Sequence, residues 1–448
     1  MESIRIQMPD AARYIIEELM RHGYEAYVVG GCVRDSILGK EPKDWDITTS
    51  ATPEQTKAIF RRTIDTGIEH GTVTIMMDKE GYEVTTYRVD GKYEDHRRPK
   101  EVTFTASLSE DLKRRDFTIN AMAYNDQEGL VDEFGGVSDL EKGIIRCVGI
   151  PQERFDEDAL RILRAVRFAS QLDFVIEEAT KEAIREKAEF LKDISAERIQ
   201  VELTKLITSD HPERIKDAYE LGITHIVLPE FDAMMETPQS NRHHCYNVGM
   251  HSIVVMQNID ATTILRWAAL LHDVAKPVCH TTDEDGVDHF YGHPQSGKQI
   301  ARAILRRMKL DNETIHRVER LIEWHDYGLG EEITKRALRR ALYKMGPDLF
   351  EDLIRLRYAD MMGQSDYLRD KKLEGYHHLI SLYQQIVSEK QCLSLKELKM
   401  DGRRLKELGV EPGPEMGRIL NQLLDRVLDA PELNTEEKLT ELVKDMIS

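Results

Sequence analysis

The sequence is short of everything that would place it outside a cell or in a membrane. It has five cysteines in 448 residues, at positions 32, 147, 245, 279 and 392, and no CxxC pair. An odd, scattered set excludes a disulfide framework and a zinc ribbon, and fits free thiols in a reducing compartment. No apolar run reaches the roughly eighteen residues a membrane-spanning helix needs. The opening MESIRIQMPD has no secretory-leader pattern. These absences predict a cytoplasmic protein without a membrane partner. Positive charge is also in deficit, 62 Lys and Arg against 81 Asp and Glu, a formal net charge of −19. Sequence-blind coating of nucleic acid needs a basic field, so that class is excluded, whereas docking of one folded RNA on a local basic groove is not. Repeats, coiled-coil heptads and low-complexity stretches are missing. What remains is 41% apolar and 32% charged, a helix-rich globular chain too long for one core and divided into two to four modules. The oligomeric state is left undetermined.

The most informative stretch is Val28–Ile47, VVGGCVRDSILGKEPKDWDI. Val28 and Val29 read as the end of a buried strand. Gly30 and Gly31 can take backbone angles closed to other residues and let backbone amides approach a phosphate. Val33 to Leu38 read as a short helix whose N-terminus faces the same anion. Asp44 and Asp46 flank Trp45, and on a strand residues two apart share a face. Two carboxylates on one face can hold a pair of Mg²⁺ ions for phosphoryl or nucleotidyl transfer.

In that order, the Gly-Gly pair, Val33-Arg34-Asp35, Leu38-Gly39 and Asp44-Trp45-Asp46 resemble the first motif of the polymerase-β-type nucleotidyltransferases. They are most similar to the class II branch that contains bacterial CCA-adding enzymes and poly(A) polymerases. The resemblance implies a triphosphate against Gly30, Gly31 and Arg34, with Mg²⁺ on Asp44 and Asp46. It also implies a third carboxylate from a neighbouring strand, for which Glu83 is the candidate.

Along the chain, residues 4–23 have helical spacing and stop at Gly23. Thr52 caps a helix with Pro53 in its first turn. Gly71–Met77 and Tyr82–Tyr87 read as strands joined by a turn at Asp78–Gly81. Residues 88–100, charged and without apolar period, predict a mobile loop. The family has such a loop there, matched by Arg88, Asp90, Asp95, Arg97 and Arg98. DLKRRDFTINAMAY, residues 111–124, resembles the second family motif, which implies that Asp116, braced by Arg115, holds the ribose, with Asn120 beside them. Residues 129–140 predict a turn-rich connector.

From Pro151 the pattern is strongly helical, and Asp158 and Arg161, three apart, are expected on one helical face. The family motif EDxxR is complete as Glu157, Asp158 and Arg161. An acceptor and a donor side by side mimic the pairing edge of a base, which implies a choice of C or A without a template. Glu197, Arg198 and Glu202 resemble a motif that braces this helix. Histidines concentrate between His225 and His325. His251, the pair His272-Asp273 and Asp360 resemble the ligands of HD-domain metal-dependent phosphohydrolases, with His293 and His325 as a second set. Imidazole ligands favour a transition metal over Mg²⁺. The tail carries basic stretches at Lys335–Arg340 and Arg403–Lys406, and Gly413, Pro414 and Gly417 resemble the family's tail motif, a helix start suited to an RNA phosphate.

The expectation is an α+β protein: a nucleotidyltransferase head (1–145) with a small sheet and helices, an all-α neck (146–215), a body with an HD domain (216–370) and a tRNA-binding tail (371–448). The implied activity adds C, C and then A to the tRNA 3′ end from CTP and ATP with Mg²⁺. The alternatives are A-only or poly(A) addition, and an HD phosphohydrolase acting on RNA ends behind an inactive head.

Overall fold

The computed structural model describes residues 4–90, 93–94, 98–99, 102–328 and 333–447. The chain forms two compact units, Met1–Asp232 and Ala233–Ser448.

The first unit is built on a seven-stranded mixed sheet ordered β11-β10-β1-β2-β5-β4-β3. Its strands are β1 (Ala26–Val29), β2 (Ile47–Thr49), β3 (Thr63–Gly67), β4 (Thr72–Met77), β5 (Glu80–Thr86), β10 (Ala123–Asn125) and β11 (Gly129–Val131). All four residues of β1 are buried, as expected of a central strand covered on both faces. β2 runs parallel to β5, with Ile47 opposite Val84, and the remaining pairs are antiparallel. Along β5, Tyr82, Val84 and Thr86 are buried and Glu83 is exposed, the period-two alternation that turns the glutamate outward. The β4–β5 turn is tighter than expected. Asp78 and Lys79 take φ of 44° and 78°, so Met77 pairs with Glu80 and β5 starts two residues early. Thr52 caps the helix Pro53–Ile59 as its sequence predicts, and Gln55 completes a capping box. Tyr27, Val29, Tyr87, Leu112 and Ala123 form a hydrophobic cluster behind the sheet.

Two segments expected as loops carry structure. Around the predicted mobile loop, β6 (Arg88–Asp90) pairs with β9 (Val102–Phe104), and β7 (Tyr93–Glu94) with β8 (Arg98–Pro99). The described side chains of β6 and β9, those of Arg88, Val89, Thr103 and Phe104, are not buried, so no apolar alternation marks the pairing in the charged sequence. Asp95 and Arg97 lie outside the described residues. The predicted connector 129–140 supplies β11 and a helix, Gly136–Lys142, whose first amides donate to the Asp132 carboxylate at 2.7 and 2.9 Å.

Beyond the head come the helices Pro151–Glu157, Leu160–Leu172, Glu178–Lys187 and Ala196–Ile207. The second unit places Val248–Gln257, Thr263–Leu271, His293–Arg307, Asn312–Trp324 and Phe350–Gly363 around a buried polar cluster. The all-helical expectation for these regions is off by two short ladders, Ile144–Ile145 with Val175–Ile176 and Thr281–Thr282 with Asp288–His289. Each is two residues per strand, too short for periodicity to register. The basic stretch on the helix Lys335–Met345 is occupied internally: Lys335 pairs with Glu389, and Arg336 and Arg340 with Asp429. No helix among the described residues is long and apolar enough to cross a membrane.

Candidate active site

β1 ends at Val29 and is followed by Gly30, whose φ of 80° and ψ of −126° are open to glycine. Its N–H donates to Met122 O (3.2 Å), and its carbonyl accepts from Arg34 N (3.1 Å), starting the helix Gly31–Ile37. A Cβ at Gly30 would meet Arg115 Nη1 at 3.1 Å, so the turn is built for close backbone approach.

Asp44 and Asp46 were expected on a strand. They lie in the extended segment just before it, β2 beginning at Ile47, although the Asp46 carbonyl already accepts from Val29 N at 3.0 Å. Because Ile47 pairs with Val84 in parallel register, the residues before them, Asp46 and Glu83, are neighbours. All three carboxylate residues are exposed. The protein around Asp46 nonetheless displaces enough solvent to raise its carboxyl pKa; Arg115 opposes the rise, and Glu83 and Asp44 add to it. An oxygen-only set of like charges that strain against one another fits a hard divalent cation.

Behind the turn lies a closed polar ring. Arg34 Nη1 donates to Asn120 Oδ1 (2.7 Å) and Asn120 Nδ2 to Asp116 Oδ1 (3.1 Å). Arg164 grips the other Asp116 oxygen, with Nε at 2.8 and Nη2 at 2.5 Å from Oδ2. The expectation that Arg115 braces Asp116 is therefore corrected. Arg115 leans to Asp111 (3.5 Å), and the brace is Arg164, forty-eight residues from the carboxylate. Burial opposes ionisation of Asp116, but Arg164 and Asn120 outweigh it and hold the pKa far below the carboxylate range. The guanidinium carbons of Arg167, Arg34 and Arg164 stand 3.9, 5.1 and 5.3 Å from the centre of the Phe168 ring, closing the circle by cation–π contact. The signal for Arg164 and Phe168 was present: from Arg161 they follow at i+3 and i+7, on one helical face.

Asp158 and Arg161 do not share a helical face. Asp158 has φ −142° and ψ 103°, an extended break between Pro151–Glu157 and Leu160–Leu172. Its carboxylate accepts from Leu160 N (3.1 Å) and Arg198 Nη2 (2.7 Å). Arg161 donates to Glu157 Oε2 (2.6 Å) and Arg114 O (2.8 Å). The Asp158 oxygen serves the first amide of the following helix, which has no carbonyl partner within the helix. The bracing expected of Glu202 and Arg198 is present, Glu202 lying 2.6 Å from Arg167 and Arg198 on Asp158.

In the second unit the sequence-predicted ligands converge, in two groups. His251, His272 and Asp360 form one, and Asp273, His293 and His325 the other, the ligand atoms of each lying within 4.8 Å. Asp273 faces both: Oδ2 is 3.2 Å from His272 and 3.6 Å from His251, while Oδ1 is 3.3 Å from His293 and 3.7 Å from His325. Each histidine has Nδ1 against a backbone carbonyl, those of Gly363, Ala269, Phe290 and Ile322, at 2.7 to 3.1 Å. A carbonyl only accepts, so Nδ1 carries the proton and Nε2 of the neutral ring is a lone pair. The Nε2 atoms nevertheless face each other at 3.2 Å in both His251/His272 and His293/His325. Two lone pairs at that distance repel unless a proton or a metal ion lies between them. Burial works against a charged imidazole, yet Asp326 and Asp273 hold the His325 pKa up at about 9.

A mixed sheet with a glycine turn and an adjacent carboxylate trio, followed by helices that close a polar ring behind it, defines a nucleotidyltransferase. Residues 26–146 match the family described as Poly A polymerase head domain, 173–235 the RNA and SrmB-binding site of polymerase A, and 293–443 domain 2 of tRNA nucleotidyltransferases. A CCA-adding enzyme of Limosilactobacillus reuteri is 38% identical over 98% of this chain and 96% of its own length. The structure of the Bacillus stearothermophilus CCA-adding enzyme in complex with CTP superposes with a TM-score of 0.72 at 28% identity, covering 98% of both chains. That of the Thermotoga maritima enzyme complexed with tRNA shares the fold, with a TM-score of 0.61 at 21% identity, over 100% of this chain and 97% of that one. The chain belongs to the CCA-adding enzyme family of tRNA nucleotidyltransferases.

Proposed function

We propose that this protein adds C, C and A to tRNA 3′ ends from CTP and ATP, releasing pyrophosphate, in the cytoplasm where its free thiols persist. The glycine turn beside Asp44, Asp46 and Glu83 carries the reading. Gly30 bends the chain so that the Gly31 amide, with the Arg34 guanidinium, holds the triphosphate, the Gly30 amide being taken by Met122 O. The three carboxylates would hold Mg²⁺, which supplies charge neutralisation at the reacting phosphate and the departing pyrophosphate. Asp116, supported by Asn120 and with Arg115 nearby, meets the ribose. Asp158 and Arg161 flank the helix break where a base edge is read. In this scheme the head ends near residue 145, the neck near 215 and the body near 370, and the tail helix opened by Gly413, Pro414 and Gly417 meets an RNA phosphate. Relatives named CCA-adding enzymes along the whole chain favour this activity over A-only or poly(A) addition.

The opposed imidazole lone pairs favour a second reading, an HD-type phosphohydrolase site in the body. His251, His272, Asp273 and Asp360, with His293 and His325, would hold a transition metal, whose Lewis acidity serves phosphoester hydrolysis.

The test incubates tRNA lacking CCA with CTP, ATP or both. CTP alone should add two residues and the pair three, and Asp46→Ala should cut the rate by at least ~10³-fold. Incorporation of ATP alone in long runs, or a fully active Asp46→Ala, would overturn the reading.

A further inference from the structure

Both oxygens of Asp116 are already covered. Oδ1 accepts from Phe117 N (2.8 Å) and Asn120 Nδ2 (3.1 Å), while the Arg164 guanidinium lies against Oδ2, Nε donating at 2.8 Å and Nη2 in ion-pair contact at 2.5 Å. A ribose hydroxyl that approaches Oδ2 meets this guanidinium, so one donor has to move. Phe117 N is backbone. Asn120 is buried and held from behind by Arg34 at 2.7 Å. Arg164 is the donor free to move, its side chain 33% exposed.

An acceptor waits beside it. Glu202 is 5% exposed, and its Oε1 lies 3.9 Å from Arg164 Nη1. Its Oε2 has no aligned donor: Arg167 Nε is 2.6 Å away in charge contact, but off the hydrogen-bond direction. A carboxylate with one oxygen, Oε2, buried and without an aligned donor gains from an N–H that turns toward that oxygen. The Phe168 ring under Arg164 offers the same cation–π contact through a small turn of the guanidinium.

We propose that Arg164 is a specificity-determining residue that gates sugar recognition: when a ribonucleotide binds, it releases one N–H from Asp116 and passes it to Glu202. The freed lone pair accepts the ribose hydroxyl, whereas a deoxyribose leaves it empty and the exchange yields nothing. The proposal rests on the reading of Asp116 as the ribose acceptor.

The experiment measures kcat and KM for CTP and dCTP in the first addition to tRNA lacking CCA. Asp116→Asn should collapse the CTP preference; if the preference survives, the ribose reading of Asp116 fails and the gate with it. Glu202→Gln should lower the preference by roughly ten- to a hundredfold, the worth of one hydrogen bond to a charged group. The loss should appear in KM for CTP, with dCTP kinetics unmoved. Arg164→Lys, whose ammonium covers fewer of the Asp116 lone pairs, should keep the preference and make it indifferent to a further Glu202→Gln. Should Glu202→Gln not fold, Glu202→Asp, with its acceptor drawn back by one carbon, carries the same expectation. A collapse in Asp116→Asn with CTP and dCTP falling equally in the Glu202 variants would overturn the gate while leaving the ribose reading intact.

Discussion

Gly30→Ala isolates the glycine turn, and its effect can be worked from the backbone. At φ 80° and ψ −126° a residue with a Cβ is strained, at a cost of about 1–3 kcal/mol. The added carbon also lies 3.1 Å from Arg115 Nη1 and 3.8 Å from Asn120 O, so the guanidinium must retreat by a few tenths of an ångström. That retreat weakens its opposition to the raised pKa of Asp46. Gly31 is the internal control: it is helical, and the nearest atom to an added Cβ is Arg34 Nη2 at 3.7 Å. Alanine there gains up to about 1 kcal/mol in helix propensity. In a unit of this size each kcal/mol moves the melting temperature by about 2–4 °C. Gly30→Ala should therefore melt about 2–12 °C lower, and Gly31→Ala no lower than the unmodified protein. Circular-dichroism melts read the stability, and tRNA extension with CTP reads the function, which Gly30→Ala should impair in KM for the triphosphate. Equal melting of Gly30→Ala and the unmodified protein, or an equal loss in both variants, would refute the argument from the turn.

Arg161→Ala should damage discrimination of CTP and ATP against UTP and GTP more than triphosphate affinity, measured as kcat/KM ratios; full retention of selectivity would remove Arg161 from base reading. Excising residues 91–97 should leave C addition working and cripple A addition on gels of the extended tRNA, and an equal loss of both in a folded variant would count against a switching role. Asp273→Asn, which removes charge from the one carboxylate facing both histidine groups, should lose Mn²⁺ or Ni²⁺ measured by elemental analysis and any phosphodiesterase activity, with nucleotide addition intact. Unchanged metal content in that variant would dismiss Asp273 as a ligand.

The sequence by itself determined the features whose physics is local. Gly30 after an apolar strand, Asp44 and Asp46 two apart, the Thr52 cap and the His272-Asp273 pair are each legible within a few residues, because backbone freedom, side-chain period and capping act at that range; Gly31, read with Gly30, is an ordinary helical residue. Only the tertiary structure decided which partner each group meets. Asp158 looked helical by spacing, but Arg198, forty positions on, and its own capping bond hold it in a break. Arg115 was the nearer arginine to Asp116, yet Arg164 fills that carboxylate, because the helix Leu160–Leu172 carries it there. The six body ligands read as one set and a remainder, and the fold sorts them into two groups sharing Asp273. In each case the deciding contact joins residues far apart in the chain. Local periodicity holds no record of such pairings, since hydrogen-bond geometry is set by where whole helices pack.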